Sequence, residues 1–308
     1  MSVTGAGRDG VCVVDKPAGM TSHDVVARAR RLFGTRRVGH AGTLDPDATG
    51  VLVLGIGRAT RLLRFVTPLT KSYSGEVVLG VATSTLDASG DVIATCDMGH
   101  VTLEAVQAAA AGFVGDLAQV PPMVSAVRIG GRRLHQLARQ GIEVERNPRP
   151  VTVHRFEVAG PPEPVVVGGA RGWSVPVEVD CSSGTYVRTL ADDLGRALGG
   201  GAHLRNLRRN AVGPFTVESA SSIDDLAVRP SVDAVRHLEM VAVDEDVAAL
   251  VTTGTRLVRR GEAVELEGDG PWALVSASTG ALLAVYEAVG ERAHPVVVVA
   301  PPATEDPS

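Results

Sequence analysis

Lysine is almost missing from this 308-residue chain: two, Lys16 and Lys71, stand against 28 arginines. Aromatic residues are scarce too, at 3% with only three tyrosines, so base-stacking surface is confined to very few positions. The three cysteines, Cys12, Cys96 and Cys181, are far apart and form neither a CxxC pair nor a His/Cys cluster, which excludes a disulfide framework or a zinc site. Long hydrophobic runs are lacking, the aliphatic stretch Val296–Val299 being far too short to span a bilayer. The opening MSVTGAGRDG has no apolar core of a secretory signal. These absences predict a soluble, cytoplasmic protein without membrane contact, metal or cofactor.

The net charge of −5 argues at first against a polyanionic partner, but it is unevenly divided. Residues 1–210 carry 24 Lys+Arg against 19 Asp+Glu, whereas residues 211–308 carry 6 against 16. The basic residues of the first part fall in clusters: Arg28, Arg30, Arg31, Arg36 and Arg37; Arg58, Arg61 and Arg64; Arg128, Arg132, Arg133 and Arg139; Arg205, Arg208 and Arg209. Such clusters are candidates for neutralising phosphates, although any one alone reads equally as a solvated face.

Residues 11–14 (VCVV) predict a buried strand, followed by a Pro/Gly loop and a helix with Ser22 as N-cap, Val25, Val26, Ala29, Leu32 and Phe33 on its apolar side and Gly34 as its end. VLVLGI at 51–56 predicts another strand, and strand-like patterns recur at 73–81, 92–95, 151–158 and 173–180. Helical spacing occurs at 102–112, 132–140, 188–198 and 222–238. The stretch at 160–170 reads as a hairpin tip. The expected fold is α+β, a mixed and largely antiparallel sheet flanked by helices over residues 10–240. A small β-rich unit is expected at 241–304, with turns at Gly261, Gly268–Pro271 and Gly280.

The most informative segment is GHAGTLDPDATG at 39–50, a tight loop carrying His40 and Asp45 ahead of a buried strand. By composition alone it is either a site loop or an Asx-turn that shapes the chain. It resembles, at every fixed position, the signature G-H-x-G-[TA]-L-D-P-x-A-[ST]-G of the TruB family of pseudouridine synthases. Further blocks resemble the family in the same order: DKPAGMTSHD (15–24), KSYSG (71–75), LGVATSTLDASG (79–90), QVPPMVSAVRIGGRRL (119–134), ARQGIEV (138–144), CSSGTYVRTLADDLG (181–195) and GAHLRNLRR (201–209). Both lysines and two of the three tyrosines lie in these blocks.

The resemblance implies the pseudouridine synthase fold with a PUA-like C-terminal appendage. The activity it implies is isomerisation of uridine 55 in the T-arm of tRNA, by a monomer needing neither guide RNA nor a protein partner. It implies Asp45 as the catalytic carboxylate, Arg188 as its partner, and Tyr73 as the residue that packs on uracil and takes part in proton transfer. Tyr186 and Leu207 would complete the base pocket, and His40 would support the flipping of the base. Lys16 is expected to be structural, and Asp87 to shape a turn or hold a pocket arginine. Departures from the family pattern are Asp47, expected to raise the pKa of Asp45, Ser183 in place of a lysine, and His135 in place of a tyrosine.

Other readings are poorer. GIGRAT at 55–60 lacks the third glycine of a dinucleotide loop and the GK[ST] of a phosphate loop. A glycosidase would need two opposed carboxylates. A silent RNA-binding module would not need the Asp45, Tyr73 and Arg188 set.

Overall fold

A computed structural model describes residues 9–125, 128–129, 132–133, 140, 142, 144–261 and 264–299. The chain opens with β1 (Gly10–Lys16) and α1 (Ser22–Phe33), followed by β2 (Val38–His40) and β3 (Thr49–Ile56). After a 3-10 turn at Gly57–Leu62 come α2 (Leu63–Val66), β4 (Lys71–Leu79), β5 (Val81–Thr83), β6 (Val92–Thr95), α3 (Leu103–Ala111) and β7 (Gly115–Gln119). The short pair β8 (Arg128–Ile129) and β9 (Arg132–Arg133) precedes β10 (Arg149–Val158), β11 (Glu163–Val167), β12 (Ala170–Cys181), α4 (Val187–Ala197), β13 (Ala202–Val212) and β14 (Phe215–Thr216). The last part comprises β15 (Glu239–Val243), α5 (Glu245–Thr252), β16 (Leu257–Val258), β17 (Trp272–Ser276), β18 (Leu282–Val289) and β19 (Arg292–Val298).

The main sheet runs β1-β3-β13-β4-β12-β10-β7, with β2, β11 and β14 on its flanks. It is antiparallel except where β13 meets β3, Arg208 opposite Thr49 and Arg209 opposite Gly50. That parallel meeting joins two antiparallel halves, and the Asp45 loop enters β3 beside it. One face of the sheet packs on α1 through Cys12, Val14, Leu52, Leu54, Val25 and Phe33. The other half buries Val77, Leu79, Val177 and Val179 with Leu190 and Leu194 of α4.

α1 is capped one residue before the expected position. Thr21 is the N-cap, its hydroxyl accepting from the Asp24 amide while Asp24 accepts from the Thr21 amide, a reciprocal capping box. Ser22 is instead the first helical residue and is buried, its hydroxyl bonded to both backbone groups of Leu44. Gly34 closes the helix in the left-handed region at φ 62°. Leu32 falls outside the apolar face and is 38% exposed.

The helix expected at 222–238 does not form. Residues 231–235 make a 3-10 turn after Pro230, whose ring is incompatible with a helix interior. Upstream, the backbone of this segment pairs with the free edge of β1: Ser221 N–H donates to Val13, Asp15 to Ser221, and Val11 and Arg229 exchange both bonds. Covering an edge strand thus takes precedence over helical spacing. At 132–140, Arg132 and Arg133 lie in β9 rather than a helix, and residues 134–139 lie outside the described residues. The side chains of Arg128, Arg132, Arg133, His135 and Arg139 likewise lie outside them.

The second sheet, β15-β17-β18-β19-β16, has two apolar faces. Trp272 and Leu274 of β17 turn into its own core with Val247 and Val251 of α5, a helix not expected from the sequence. Ala273 and Val275, alternating with them, join Val11, Val13, Val51 and Val53 in a core shared with the main sheet.

Gly50 shows how tightly β3 and β13 approach. Its φ is 101°, and a Cβ there would lie 2.2 Å from the Arg209 carbonyl oxygen. Gly50→Ala is therefore expected to destabilise the fold by about 2 kcal/mol or more, read as a shift in the denaturant midpoint.

Candidate active site

The Asp45 loop is held by backbone contacts to buried side chains from three directions. Lys16, with no exposed surface, donates from Nζ to the carbonyls of Pro17 (2.9 Å), Met20 (2.8 Å) and Pro46 (2.9 Å). Ser22 takes Leu44. Arg209, 1% exposed, donates from Nε to Val51 (2.7 Å), from Nη1 to Thr43 (3.3 Å) and from Nη2 to Gly42 (3.2 Å). Asp45 begins a turn with Pro46 second, closed by Ala48 N–H donating to the Asp45 carbonyl at 3.2 Å. All these contacts grip main chain, so the carboxylate itself is left for another partner.

That partner is Arg188, near the start of α4. Its Nε lies 3.1 Å from Asp45 Oδ2 and its Nη2 donates to Oδ1 at 3.4 Å, a fork against both oxygens. Arg188 is 5% exposed and is fixed from behind by Asp87 Oδ2 (3.0 Å) and the carbonyls of Thr85 (3.1 Å) and Val124 (2.8 Å). Asp87 also accepts from the Thr85 and Ser89 hydroxyls and the Ser89 amide, so it shapes its turn and holds the arginine together.

Burial pushes the Asp45 carboxyl above its ordinary 3.8; Arg188 opposes this, Asp87 adds to it, and Lys16 and Arg209 pull it back. The second negative charge that matters is therefore Asp87. Asp47, expected to play that part, is exposed and acts instead on Lys16.

Asp45 opens on a cleft of about 270 Å³ lined also by Lys71, Tyr73, Tyr186, Leu207 and Arg209. A second hollow of about 300 Å³ adjoins it across Asp45 and Arg188, with Leu207 common to both. Leu207 reaches this position because β13 bulges between Arg205 and Arg208, where Asn206 has φ 53° and donates to Glu76 at 2.7 Å. Tyr186 precedes α4, its amide donating to Gln119 Oε1 (2.7 Å) while Gln119 Nε2 donates to its carbonyl (3.1 Å). Burial raises the Tyr73 phenol above its ordinary 10.0, against the charge of Arg209.

The structure thus brings together Asp45, Tyr73, Arg188, Tyr186 and Leu207. His40 stands apart, on β2 with its ring 5.7 Å from that of His23, and is not among the residues lining the cleft. Burial lowers its pKa below 6.5, with His23 adding to the effect.

The cluster on β13 is engaged within the protein, whereas Arg61 and Arg64 of the 58–64 cluster are exposed. Arg205 pairs with Glu76 at 2.6 Å, Arg208 grips both oxygens of Asp15 at 3.0 and 2.8 Å, and Arg209 is buried behind the loop. Arg58 and Arg61 donate to the carbonyls of Val299 (3.2 Å) and Val298 (3.1 Å), tying the C-terminal sheet down. Exposed arginines remain along and beyond α1, at Arg28, Arg30, Arg31, Arg36 and Arg37. The sequence pattern gives no sign of Gln119 and places Arg209 on the wrong side of the loop.

A buried arginine fork thus holds the aspartate beside a tyrosine, in a cleft of a mixed sheet. The profile of the TruB family pseudouridylate synthase N-terminal domain matches residues 30–187, and that of the tRNA pseudouridylate synthase B C-terminal domain matches residues 188–234. The chain is 49% identical to tRNA pseudouridine synthase B of Mycolicibacterium paratuberculosis, covering 95% of this chain and 98% of that one. It is 46% identical to the protein of the same name from Mycobacterium tuberculosis strain H37Rv, covering 98% of each. Among solved structures, an H/ACA RNP bound to a substrate RNA containing 2′-deoxyuridine matches with TM-score 0.71 and 26% identity over 96% of this chain and 86% of that one. A Cbf5-Nop10-Gar1 complex matches with TM-score 0.72 and 26% identity, over 95% and 85%. The chain belongs to the TruB family of pseudouridine synthases.

Because Asp45 titrates above 3.8, the acid limb of the pH profile of kcat/KM is expected to lie above that value, with activity lost as pH falls and the carboxylate takes up a proton. Asp87→Asn removes the opposing charge and is expected to move that limb to lower pH, provided that the amide still holds Arg188. Arg188→Lys keeps a charge but loses the planar fork, so kcat in single turnover is expected to fall by at least about tenfold while RNA affinity is nearly retained.

Proposed function

We propose that this chain converts uridine 55 in the T-arm of tRNA to pseudouridine, with Asp45 acting at the sugar. The observation that carries the reading is the Asp45–Arg188 fork set at the cleft shared by Tyr73, Tyr186 and Leu207. As the C1′–N1 bond breaks, its electron pair passes to the ring, which leaves as a uracil anion. Asp45 either bonds to C1′ or takes the proton from C2′. The ring turns, C5 closes onto C1′ with the reversal of that step, N1 ends protonated and C5 gives up its hydrogen as a proton. The phenol of Tyr73, kept neutral by burial, sits where it can pack on the ring and relay that proton.

Access requires the base to leave the T-loop stack at a cost of roughly a few kcal/mol, against which stacking on an aromatic ring returns about 1–3 kcal/mol. His40, which does not line the cleft and stacks edge-on against His23 of α1, would act on the flip rather than on the ring. Residues 10–240 form the catalytic unit in this proposal, and 241–304 a PUA-like appendage. In this proposal the protein acts as a cytoplasmic monomer without guide RNA or obligatory protein partner; the relatives named tRNA pseudouridine synthase B support the tRNA substrate. Among the described residues, no helix is long and apolar enough to cross a membrane.

Mapping pseudouridine in unmodified tRNA before and after incubation with the purified protein tests the activity. Asp45→Asn, which retains shape without charge, is expected to bind tRNA and lose turnover by on the order of 10³-fold or more. Near-normal turnover in a preparation free of deamidation would overturn the assignment. RNA binding is expected to weaken with salt, and charge reversal at Arg31 and Arg36 to flatten the log–log slope by up to about 0.9 for each phosphate the variant no longer neutralises. Reversal at Arg208 breaks the grip on Asp15 and is expected to appear in stability instead.

A further inference from the structure

Beneath the uracil cleft lie two cations that the reaction as described does not use. Lys71 and Tyr73 are two residues apart on β4 and so share a face of the sheet, and both line the cleft together with Arg209. Lys71 is 5% exposed, its Nζ donating to the carbonyls of Thr67 (2.5 Å) and Leu69 (2.6 Å). Arg209 donates to three carbonyls and to the Tyr73 hydroxyl. Among the described residues neither forms a salt bridge with a carboxylate. The nearest ionisable neighbour of Lys71 on β12 is Cys181, opposite it in the register, whose thiol burial pushes up to about 11, so it is no counter-ion at neutral pH.

Buried charges are ordinarily paired, because solvation lost on burial must be replaced. Carbonyl dipoles supply part of that replacement here; Asp45 acts on Arg209, whereas no carboxylate is matched to Lys71 among the described residues. The one anion that the reaction creates in this cleft is the uracil ring, once the C1′–N1 electron pair has passed into it. Asp45 is already matched by Arg188, so the ring's charge has no other partner.

We infer that Lys71, beside Arg209, is the preformed counter-charge for the departing uracil anion, so that the charge of Lys71 is an electrostatic part of the reaction. The inference rests on the proposed isomerisation and deepens it. A charge placed in advance in a dry site stabilises developing negative charge without reorganisation at the moment of reaction. Arginine at this position would also carry the charge, but lysine's compact ammonium fits the two carbonyls of the 67–69 turn.

Burial, with the like charge of Arg209 adding to it and Cys181 opposing it, lowers the Lys71 ammonium to about 8. The groups facing it are Arg209 from β13, Cys181 from β12 and Tyr73 from its own strand. Its charge is therefore present below about 8 and lost as pH rises through that value.

Single-turnover rates and binding are measured on the full chain for Lys71→Met and Lys71→Arg. The Met variant is expected to lose about 10- to 100-fold in rate, with uridine-stem-loop affinity nearly retained and a melting temperature unchanged or raised, since removing a buried cation often stabilises. The Arg variant is expected to recover most of the rate and to carry the alkaline limb to higher pH. A second readout needs no turnover: binding of a T-arm stem-loop with uridine or with 5-nitrouridine, which is ionised at neutral pH, at the target position. Wild type and the Arg variant are expected to favour the ionised base, and the Met variant to lose that preference.

A Met variant with normal rate and undiminished preference for the ionised base would overturn the inference. So would a loss that follows melting temperature and strikes both bases equally, the signature of a structural lysine. Absence of pseudouridine with wild-type protein would sink the proposed activity, while the binding comparison would still decide the part of Lys71.

Discussion

The site depends on Arg209, a guanidinium buried between the main sheet and the loop that carries Asp45. Its three bonds to the carbonyls of Gly42, Thr43 and Val51 span the loop and the strand that follows it. The same residue pairs in register with Gly50 on one side and Tyr73 on the other. One side chain thus fixes the loop against the strand bearing the tyrosine, and the parallel contact of β13 with β3 is what places it there. Gly50 permits that contact by leaving room where a Cβ would meet the Arg209 backbone. Lys16 and Ser22 complete the hold on the loop, again through main chain. No part of fixing the loop is left to the Asp45 carboxylate by these contacts.

Arg188 does the opposite, gripping the carboxylate itself. Its guanidinium is divided between two aspartates and two carbonyls, so Asp45 shares a cation that is already partly satisfied. Burial and Asp87 raise the Asp45 pKa while Arg188, Lys16 and Arg209 lower it, with the former prevailing. A carboxylate so balanced is held in place yet remains more basic than one in a dedicated salt bridge. Removing either aspartate would leave Arg188 with an uncompensated part of its charge, which is why the three residues behave as a unit.

Much of this is legible in the sequence, for identifiable reasons. Strands with unbroken aliphatic runs, β1 and β3, and helices with clean spacing, α1, α3 and α4, declare their state because one physical signal dominates each. β13 does not declare itself: AHLRNLRRNAV carries three arginines, and its bulge at Asn206 and Leu207 breaks the two-residue period. Yet it is the strand that joins β3 to β4 in the main sheet. The same strand explains the misplaced basic cluster, because charge read along a sequence does not reveal that Glu76, Asp15 and three carbonyls wait on neighbouring elements. Motif resemblance points to Asp45, Tyr73, Arg188, Tyr186 and Leu207, and they do share a cleft. It cannot indicate Gln119, whose amide takes both backbone groups of Tyr186, since that role depends on a contact 67 residues away. The segment at 222–238 misleads for the converse reason: its apolar spacing is real, but it serves to bury Ile223, Leu226, Ala234 and Val235 along β1 in extended and 3-10 form.

The acidic C-terminal third and the basic remainder are likewise reconciled by contact and not by composition. Arg58 and Arg61, counted as part of a basic surface, hold the last strand through its carbonyls, and the alternating faces of β17 bury residues into both cores. Among the described residues, exposed arginines lie on α1 and the turn after it, adjacent to His23 and His40, and at Arg61 and Arg64, while Arg28 pairs with Asp224. α1 is also the element whose first residue, Ser22, fixes Leu44 beside Asp45. A backbone grip on the exposed side of this helix is therefore one rigid element away from the aspartate. RNA bound there would be presented to the cleft in a register set by the same helix that sets the loop.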